Sequence, residues 1–389
     1  MKILMVAPQP FFEPRGTPFS VLGRLRALSA LGHDVDLVTY HIGQDVPIPR
    51  VAVYRIPSIF FVRKISIGPS LTKLFLDGVL FVKTIRMLLR SRYDLFHSHE
   101  EASFFGFVLA KLFGIRHLYD MHSSLPQQLG NFQYSKFAPL IRLFQWFEEA
   151  VIHSSHAVIT ICPALKEQVE RINPTVPHVM IENVSTEGDP NDVPPAAKRE
   201  FKAQYALEGR KVVLYSGTFE SYQGLDLLFA SAEIVSRIHP DVVFLIMGGR
   251  EEQLDACKAQ VEQLGLQAHV RFTGMQPPSE VLKATSVCDV LVSPRISGTN
   301  TPLKIYSYVQ SGKPIVATDL FTHTQVLNSE VAVLVAPEAE AFAKGICRVL
   351  EDHRFAETLG RNARALFDRD YSYQTFLQKT DRVIQLAMR

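Results

Sequence analysis

The chain holds 389 residues, 47% of them hydrophobic and 21% charged, with a formal net charge of +2 when its 13 histidines are neutral. That length is about two to three times a common single domain, so two domains are the first expectation, and the apolar content is that of a chain with large cores. These values exclude a mainly disordered protein, a collagen-like fibre, a coiled coil, and a nucleic-acid binder that works through bulk charge.

In chain order, the run Met1-Lys2-Ile3-Leu4-Met5-Val6-Ala7-Pro8 is too short for a signal-peptide core and predicts a first strand at Ile3–Ala7. Thr17–Leu31 follows with Phe19, Leu22, Leu25, Leu28 and Leu31 on one helical stripe. Val35–Thr39, Leu95–His97 and His117–Asp120 read as further strands. Residues 184–198 (VSTEGDPNDVPPAAK), rich in Pro, Asp and Gly, predict a linker. The alternation then restarts, with strands at Val212–Tyr215, Val242–Met247, Val270–Phe272, Val290–Ser293, Ile315–Ala317 and Val333–Val335. Helices are predicted at Leu225–Ile238 and Leu254–Leu264. Two βαβ series with nearly continuous apolar strands predict an α/β protein of two Rossmann-like parallel-sheet domains, 1–186 and 187–370. Ligands of such sheets sit beyond the carboxyl ends of the strands, so a cleft between the domains is the expected site.

Other features narrow the class. Cys162, Cys257, Cys288 and Cys347 are at least 31 positions apart and read as small buried hydrophobes, not as a zinc site or disulfide framework. No GxGxxG follows a strand, which argues against a nicotinamide or flavin dinucleotide, and no His/Asp/Glu grouping has metal-ligand spacing such as HExxH. No uncharged apolar stretch reaches the ~20 residues that a membrane span requires.

Two short segments share a design suited to anions. Gly16-Thr17-Pro18 opens the first helix and Gly298-Thr299-Asn300-Thr301-Pro302 opens one in the second half. In each, a Thr is placed as N-cap and a Pro as first helical residue. The glycine permits close backbone approach, and the helix N–H groups attract phosphate or carboxylate. The second of these helices is expected to run Pro302–Ser311, ending at Gly312, with Lys304 at its third position and Arg295 nearby. Good capping alone would also account for both starts.

At this point the residues resemble a family. GTNTPLKIYSYVQSGKPIVAT (298–318) resembles the donor-binding segment of glycosyltransferase family 4, which has the GT-B fold. In order, Phe12–Gly32 with Gly32-His33-Asp34-Val35 resembles its first loop, helix and "RGHEV" turn. DLFHSH (94–99) resembles "DVVHAH", and Ala157–Ile161 and Ile181-Glu182-Asn183-Val184 resemble "VIAVS" and "IPNGV". LYSGTFESYQGLDLL (214–228) resembles "VGRLxxxKGLDxLL"; Phe244–Gly249, Phe272-Thr273-Gly274, Cys288–Pro294 and Tyr371–Leu377 complete the series. The resemblance implies a nucleoside-diphosphate sugar held by the C-terminal domain, an acceptor held by the N-terminal one, and a 371–389 helix returning to the N-terminal domain. It also implies retention of anomeric configuration with no metal and no other cofactor. It places donor-binding residues at Gly217, Thr218, Glu220, Gln223, Gly248, Arg295, Thr299, Thr301, Pro302, Leu303, Lys304 and Ser307, and acceptor-binding ones at Gly16, Thr17 and His99. His122, in Asp120-Met121-His122-Ser123-Ser124, resembles the family's "THD"-like site beside the transferred sugar, with Asp120 orienting it or meeting a sugar hydroxyl; a capped loop histidine is the plainer alternative. Glu100 ends the preceding strand beside His99, and His323 is as well read as a surface loop residue.

The departures are specific. The family's diphosphate-neutralising Arg and Lys correspond to Thr218 and Gln223 here, and its two glutamates to Thr299 and Ser307. A neutral Ser bond to the donor ribose is roughly half as strong as a charge-assisted one. Stabilising the leaving diphosphate then falls to Arg295 and Lys304.

Charge is uneven. In 51–92, Arg55, Arg63, Lys64, Lys73, Lys83, Arg86, Arg90 and Arg92 face one acid, Asp77, among apolar Phe60, Phe61, Leu74, Phe75, Phe81 and Leu88. That composition fits either an interfacial helix on an anionic membrane or a core-facing helix with a solvated basic face. The expectation is a peripheral enzyme at the inner, cytoplasmic face of the cell membrane, acting on a lipid or lipid-linked glycan, with no nucleic acid as partner. A GT-B sugar-nucleotide epimerase and a non-catalytic member that binds another transferase are the alternatives.

Overall fold

The structure, a computed structural model, describes residues 1–13, 16–62, 65, 70–124, 138–182 and 188–389. The chain divides into two compact units: Met1–Asn183 with Tyr373–Arg389, and Val184–Ser372.

The first unit is built on a seven-stranded sheet of β1 (Lys2–Ala7), β2 (Asp34–Thr39), β3 (Val51–Arg55), β4 (Leu95–His99), β5 (Arg116–Met121), β6 (Ala157–Thr160) and β7 (His178–Met180). All pairs are parallel, in the order β3-β2-β1-β4-β5-β6-β7. Helices α1 (Gly16–Ala30), α2 (Leu71–Arg90), α3 (Ser103–Phe113), α4 (Ala138–Ser154), α5 (Pro163–Ile172) and the C-terminal Tyr373–Met388 belong with this sheet. Because strands buried on both faces need no polar alternation, β1 is buried from Ile3 to Ala7 and β4 along its whole length. The strand order reverses between β1 and β4, so the loops after these two strands flank the crevice where doubly wound sheets bind ligands.

The second unit carries a six-stranded parallel sheet: β8 (Lys211–Ser216), β9 (Val242–Met247), β10 (Val270–Gly274), β11 (Val290–Ser293), β12 (Ile315–Thr318) and β13 (Val333–Val335). Its order is β10-β9-β8-β11-β12-β13, so its reversal lies between β8 and β11. Its helices are α6 (Pro195–Gln204), α7 (Leu225–Ile238), α8 (Glu251–Gln263), α9 (Pro278–Val287), α10 (Leu303–Ser311), the short α11 (Phe321–Thr324), α12 (Ala339–Glu351) and α13 (His353–Leu366); the Tyr373–Met388 helix is α14. Val213, Tyr215, Phe244 and Ile246 pack on one side of the sheet with Phe229 and Phe342. Leu214 and Leu245 pack on the other with Ile305 and Tyr308 of α10, which anchors the start of that helix beside β8 and β11.

Several local expectations are corrected. α1 begins at Gly16, so Thr17 is inside the helix; its hydroxyl donates to Glu100 Oε1 (3.2 Å) across the reversal point and does not cap the helix. α10 begins at Leu303 with Pro302 as N-cap, which puts Lys304 at the second position, and neither Thr caps it. The expected linker is partly helical: Pro195 opens α6, since a proline at the first position gives up no needed N–H. Residues 184–187 of that linker lie outside the described residues, as do Asn183-Val184 of the "IPNGV"-like motif and Arg63 and Lys64 of the basic segment.

Candidate active site

In the first unit, β4 and β5 end in a buried network. Asp120 closes β5 next to Met121 and accepts a hydrogen bond from Arg24 Nε of α1 at 3.0 Å; both side chains are almost wholly buried. His97 Nε2 lies 3.3 Å from Asp120 Oδ2 and His122 Nε2 lies 3.3 Å from Oδ1. His99 Nδ1 and His122 Nε2 share a hydrogen bond of 2.9 Å, and the rings of His97, His99 and His122 form a continuous stack. The register explains the convergence: His99 stands opposite Asp120 in the β4–β5 ladder, and residues two apart on one strand share a face.

The electrostatics follow from burial. Burial opposes ionisation of Asp120, but the Arg24 guanidinium, with the three histidines, outweighs it and holds the carboxyl well below the usual carboxylate range. Burial lowers His97, His99 and His122, and Asp120 offsets it only in part. At neutral pH the network is therefore an anionic carboxylate, a guanidinium and three neutral imidazoles. Asp120 is fully buried and engaged, so it can orient His122, which is 4% exposed, but is itself closed to a substrate. His99, expected at the acceptor, is fully buried behind His122.

His97, His99 and Asp120 each offer a ligand atom within 4.8 Å of the others. Arg24 already supplies the positive charge at Asp120 Oδ2, so a divalent ion there would face a buried guanidinium.

Beside Thr17, Glu100 adopts a left-handed backbone (φ 47°) that a glutamate rarely takes. Burial, then Glu101, pushes its carboxyl up to about 7. Lys73 of α2 donates to Glu101 at 3.0 Å. Gly16 is exposed at the helix start.

The second unit places its charge differently. The Lys304 amine is buried over the Tyr215 ring, 3.9 Å from the centroid, and has no hydrogen-bond partner among the described residues. Burial, then the repulsion of Arg295, pushes its pKa well below the usual lysine range. Gly217, at the end of β8, is the roof: a Cβ there would lie 3.3 Å from the Lys304 amine. Gly248, at φ 125°, is required by crowding, because a Cβ would meet the Gly217 carbonyl at 1.8 Å. Tyr215 OH donates to the Thr218 carbonyl (2.7 Å), and Gln223 Nε2 donates to the Thr218 hydroxyl (3.3 Å). The Gln223 Oε1 and Thr301 Oγ1 atoms are buried without a partner among the described residues.

Arg295 serves the loop in place of open space. Its Nε donates to Ser297 O (2.8 Å) and its Nη1 to Asn300 O (3.0 Å), and its guanidinium lies over Tyr222. The Thr299 carbonyl is held by Gln325. Glu220 is paired with Arg250 at the start of α8. Leu303 and Ser307 lie half-buried on α10. His323 is buried, not a surface residue: Ser293 and Thr318 hold its two ring nitrogens, and burial brings it down to about 4.

Among these residues, sequence reasoning missed Arg24, His97 and Tyr215. Arg24, whose position falls among the apolar residues of the helix Gly16–Ala30, was the available signal for the first. Nothing local signals that Tyr215 lies under a lysine 89 positions on.

The comparisons agree with this fold. Residues 16–183 match the family model described as "Glycosyl transferase 4-like domain", and residues 197–366 match "Glycosyl transferases group 1". An uncharacterised glycosyltransferase of Methanocaldococcus jannaschii is 26% identical, with 100% of this chain and 99% of the relative covered. The phosphatidyl-myo-inositol mannosyltransferase of Mycolicibacterium smegmatis is 25% identical over 90% of this chain and 85% of its own. Among solved structures, Thermosynechococcus elongatus sucrose-phosphate synthase superposes with a TM-score of 0.78 at 22% identity, covering 99% and 98% of the two chains. Anabaena HepE in complex with UDP and glucose superposes at 0.77 and 17% identity, covering 99% of each. Every strand of both sheets except β1 thus falls within matched residues, the Methanocaldococcus relative is spanned almost from end to end, and the fold is GT-B: the chain belongs to the family 4-like glycosyltransferases.

Proposed function

We propose that this glycosyltransferase moves a hexose from a nucleoside-diphosphate sugar to a lipid or lipid-linked glycan, with retention and without a metal. The observation that carries the reading is the buried, unpartnered Lys304 amine at the reversal point of the second sheet. The amine there lacks an anion, and a diphosphate supplies one and favours the charged form that burial opposes. HepE, solved with UDP-glucose, supports a donor of that class. The mannosyltransferase relative, whose name carries phosphatidyl-myo-inositol, supports a lipid acceptor.

In the reaction, the bond between the anomeric carbon and the diphosphate oxygen breaks and its electron pair leaves with the diphosphate. The acceptor hydroxyl forms the new bond on the same face as the one lost and passes its proton to the departing diphosphate oxygen. Lys304 and the N–H groups at the start of α10 stabilise the charge that grows on the leaving group. They take the part that a divalent ion plays in other transferases. The glycine pair Gly217 and Gly248 lets the backbone approach the donor. His122, held neutral by burial and oriented by Asp120, meets the transferred sugar.

The test is release of nucleoside diphosphate from a panel of nucleotide sugars, with and without a lipid extract, and the anomeric configuration of the product by NMR. Retained configuration and turnover unaffected by EDTA are expected. An inverted product, or activity lost to EDTA and restored by manganese, contradicts the reading.

A further inference from the structure

Helix α2 is apolar on two opposite sides. Leu76, Leu80, Thr84 and Met87 are buried against the sheet, as a core-facing helix requires. The outward stripe at the same spacing runs Leu71, Phe75, Gly78, Val82, Arg86 and Leu89, with Leu71 86% and Leu89 72% exposed. A solvated helix carries polar residues there. The loop before it adds Phe60 (87% exposed) and Phe61, and Phe61 approaches Phe75.

The unusual surface does not end at α2. Phe81 of α2 packs edge-on against Phe105 of α3, and Phe104 of α3 packs against Phe147 of α4. The three helices thus lie side by side, and the outward positions continue with Leu112 (73% exposed) on α3 and Leu143 and Trp146 on α4. Cations are interleaved: Lys83, Arg86 and Arg90 on α2, Lys111 on α3 and Arg142 on α4. None of the five forms an ion pair among the described residues, whereas the α2 acid, Asp77, is taken by Tyr40 and Glu149 is the only acid exposed on α4. Lys83 and Arg86 also line a groove of about 500 Å³ together with Pro57, Leu74, Phe75 and Val82, apolar walls beside two positive charges.

We propose that the outward face of α2, α3 and α4 is a docking surface for an anionic phospholipid bilayer. Unpaired cations beside exposed apolar side chains match a surface of phosphates over acyl chains. Contiguous exposed apolar area of this kind is uncommon on soluble monomers. The inference stands apart from the donor site, since none of these residues belongs to it.

Trp146 is the only tryptophan of the chain and lies on this face, 56% exposed, so the protein carries its own probe. Its emission should shift to the blue on addition of phosphatidylglycerol vesicles, stay put with phosphatidylcholine, and be quenched by brominated acyl chains. Binding should weaken with salt, as exposed charges are screened over ~8 Å, yet persist in part through inserted side chains. The variant Lys83→Glu, Arg86→Glu, Arg90→Glu should lose on the order of a hundredfold in vesicle partitioning, at about fivefold per cation, while nucleotide-sugar hydrolysis is unchanged. Emission that does not move with strongly anionic vesicles at low salt overturns the proposal. So does a dimer that buries Trp146 without lipid and dissociates in the variant, because the occupant is then a second copy of the chain.

Discussion

The two reversal points carry buried charge in opposite ways. In the first unit Asp120 is met by Arg24 and surrounded by three imidazoles, so its charge is balanced before any substrate arrives. In the second, Lys304 is buried over an aromatic ring with no anion beside it. Burying an amine without a partner opposes its charge, and a ligand anion that restores the charge completes the pairing. The first site is wired for geometry; the second waits for charge.

The largest effect should come from unbalancing the first site. Arg24→Met leaves Asp120 buried and unpaired, and should cost about 3–5 kcal/mol of stability, measured by denaturant unfolding. A loss below about 1 kcal/mol would mean that the network is not balanced as described.

Acid should sharpen the same contrast. Histidines lowered by burial bind fewer protons folded than unfolded below the ordinary value of 6.5. Their contribution is therefore present above 6.5 and is lost as pH falls toward about 4 for His323 and about 3 for His117. Glu100 and Asp77, both raised to about 7, act in the other direction and gain on acidification from 7 toward their ordinary values. With more histidines than raised acids, net stability should fall between pH 6.5 and 4 by several kcal/mol, at ~1.4 kcal/mol per proton and pH unit. His323→Asn should flatten the profile measured by melting at each pH. An unchanged profile would mean that His323 takes up its proton as readily in the folded chain as in the unfolded one.

Smallest is Thr301→Val. The hydroxyl is buried without a partner among the described residues, so folding should be unchanged or slightly improved. If the donor takes that hydroxyl, its affinity should fall by about 0.5–1.5 kcal/mol, the net worth of a neutral hydrogen bond. A clear loss of stability instead would show the hydroxyl to be satisfied in the fold.

The strand series was readable because buried parallel strands are unbroken apolar runs: Val242–Met247 and Val290–Ser293 have the expected ends. β3 and β7 were not anticipated, since Val51–Arg55 is only half-buried and His178–Met180 has three residues, too short for a pattern. The helix starts were located but their caps misread. A Thr-Pro pair looks like N-cap and first residue, whereas packing of Ile305, Tyr308 and Val309 starts α10 one residue later. The family motifs led to Lys304 and His122, but not to their partners. Arg24 meets Asp120 across 96 residues, and such pairings exist only once the sheet has formed. The basic segment was visible as composition. That its apolar residues split into a buried and an exposed stripe, and that α3 and α4 extend the second, required the packing.

The most direct test of the account is calorimetric titration of nucleoside diphosphates into wild type and Lys304→Met, with the melting temperature of each. Methionine keeps the length of the side chain and removes the charge. The variant should melt no lower than wild type, since a buried polar amine without a partner is gone, and should bind the diphosphate about 1.5–3 kcal/mol more weakly, the range for a hydrogen bond to a charged group. Undiminished affinity in the folded variant, or a large fall in melting temperature without ligand, would contradict the claim that Lys304 waits for the donor's charge.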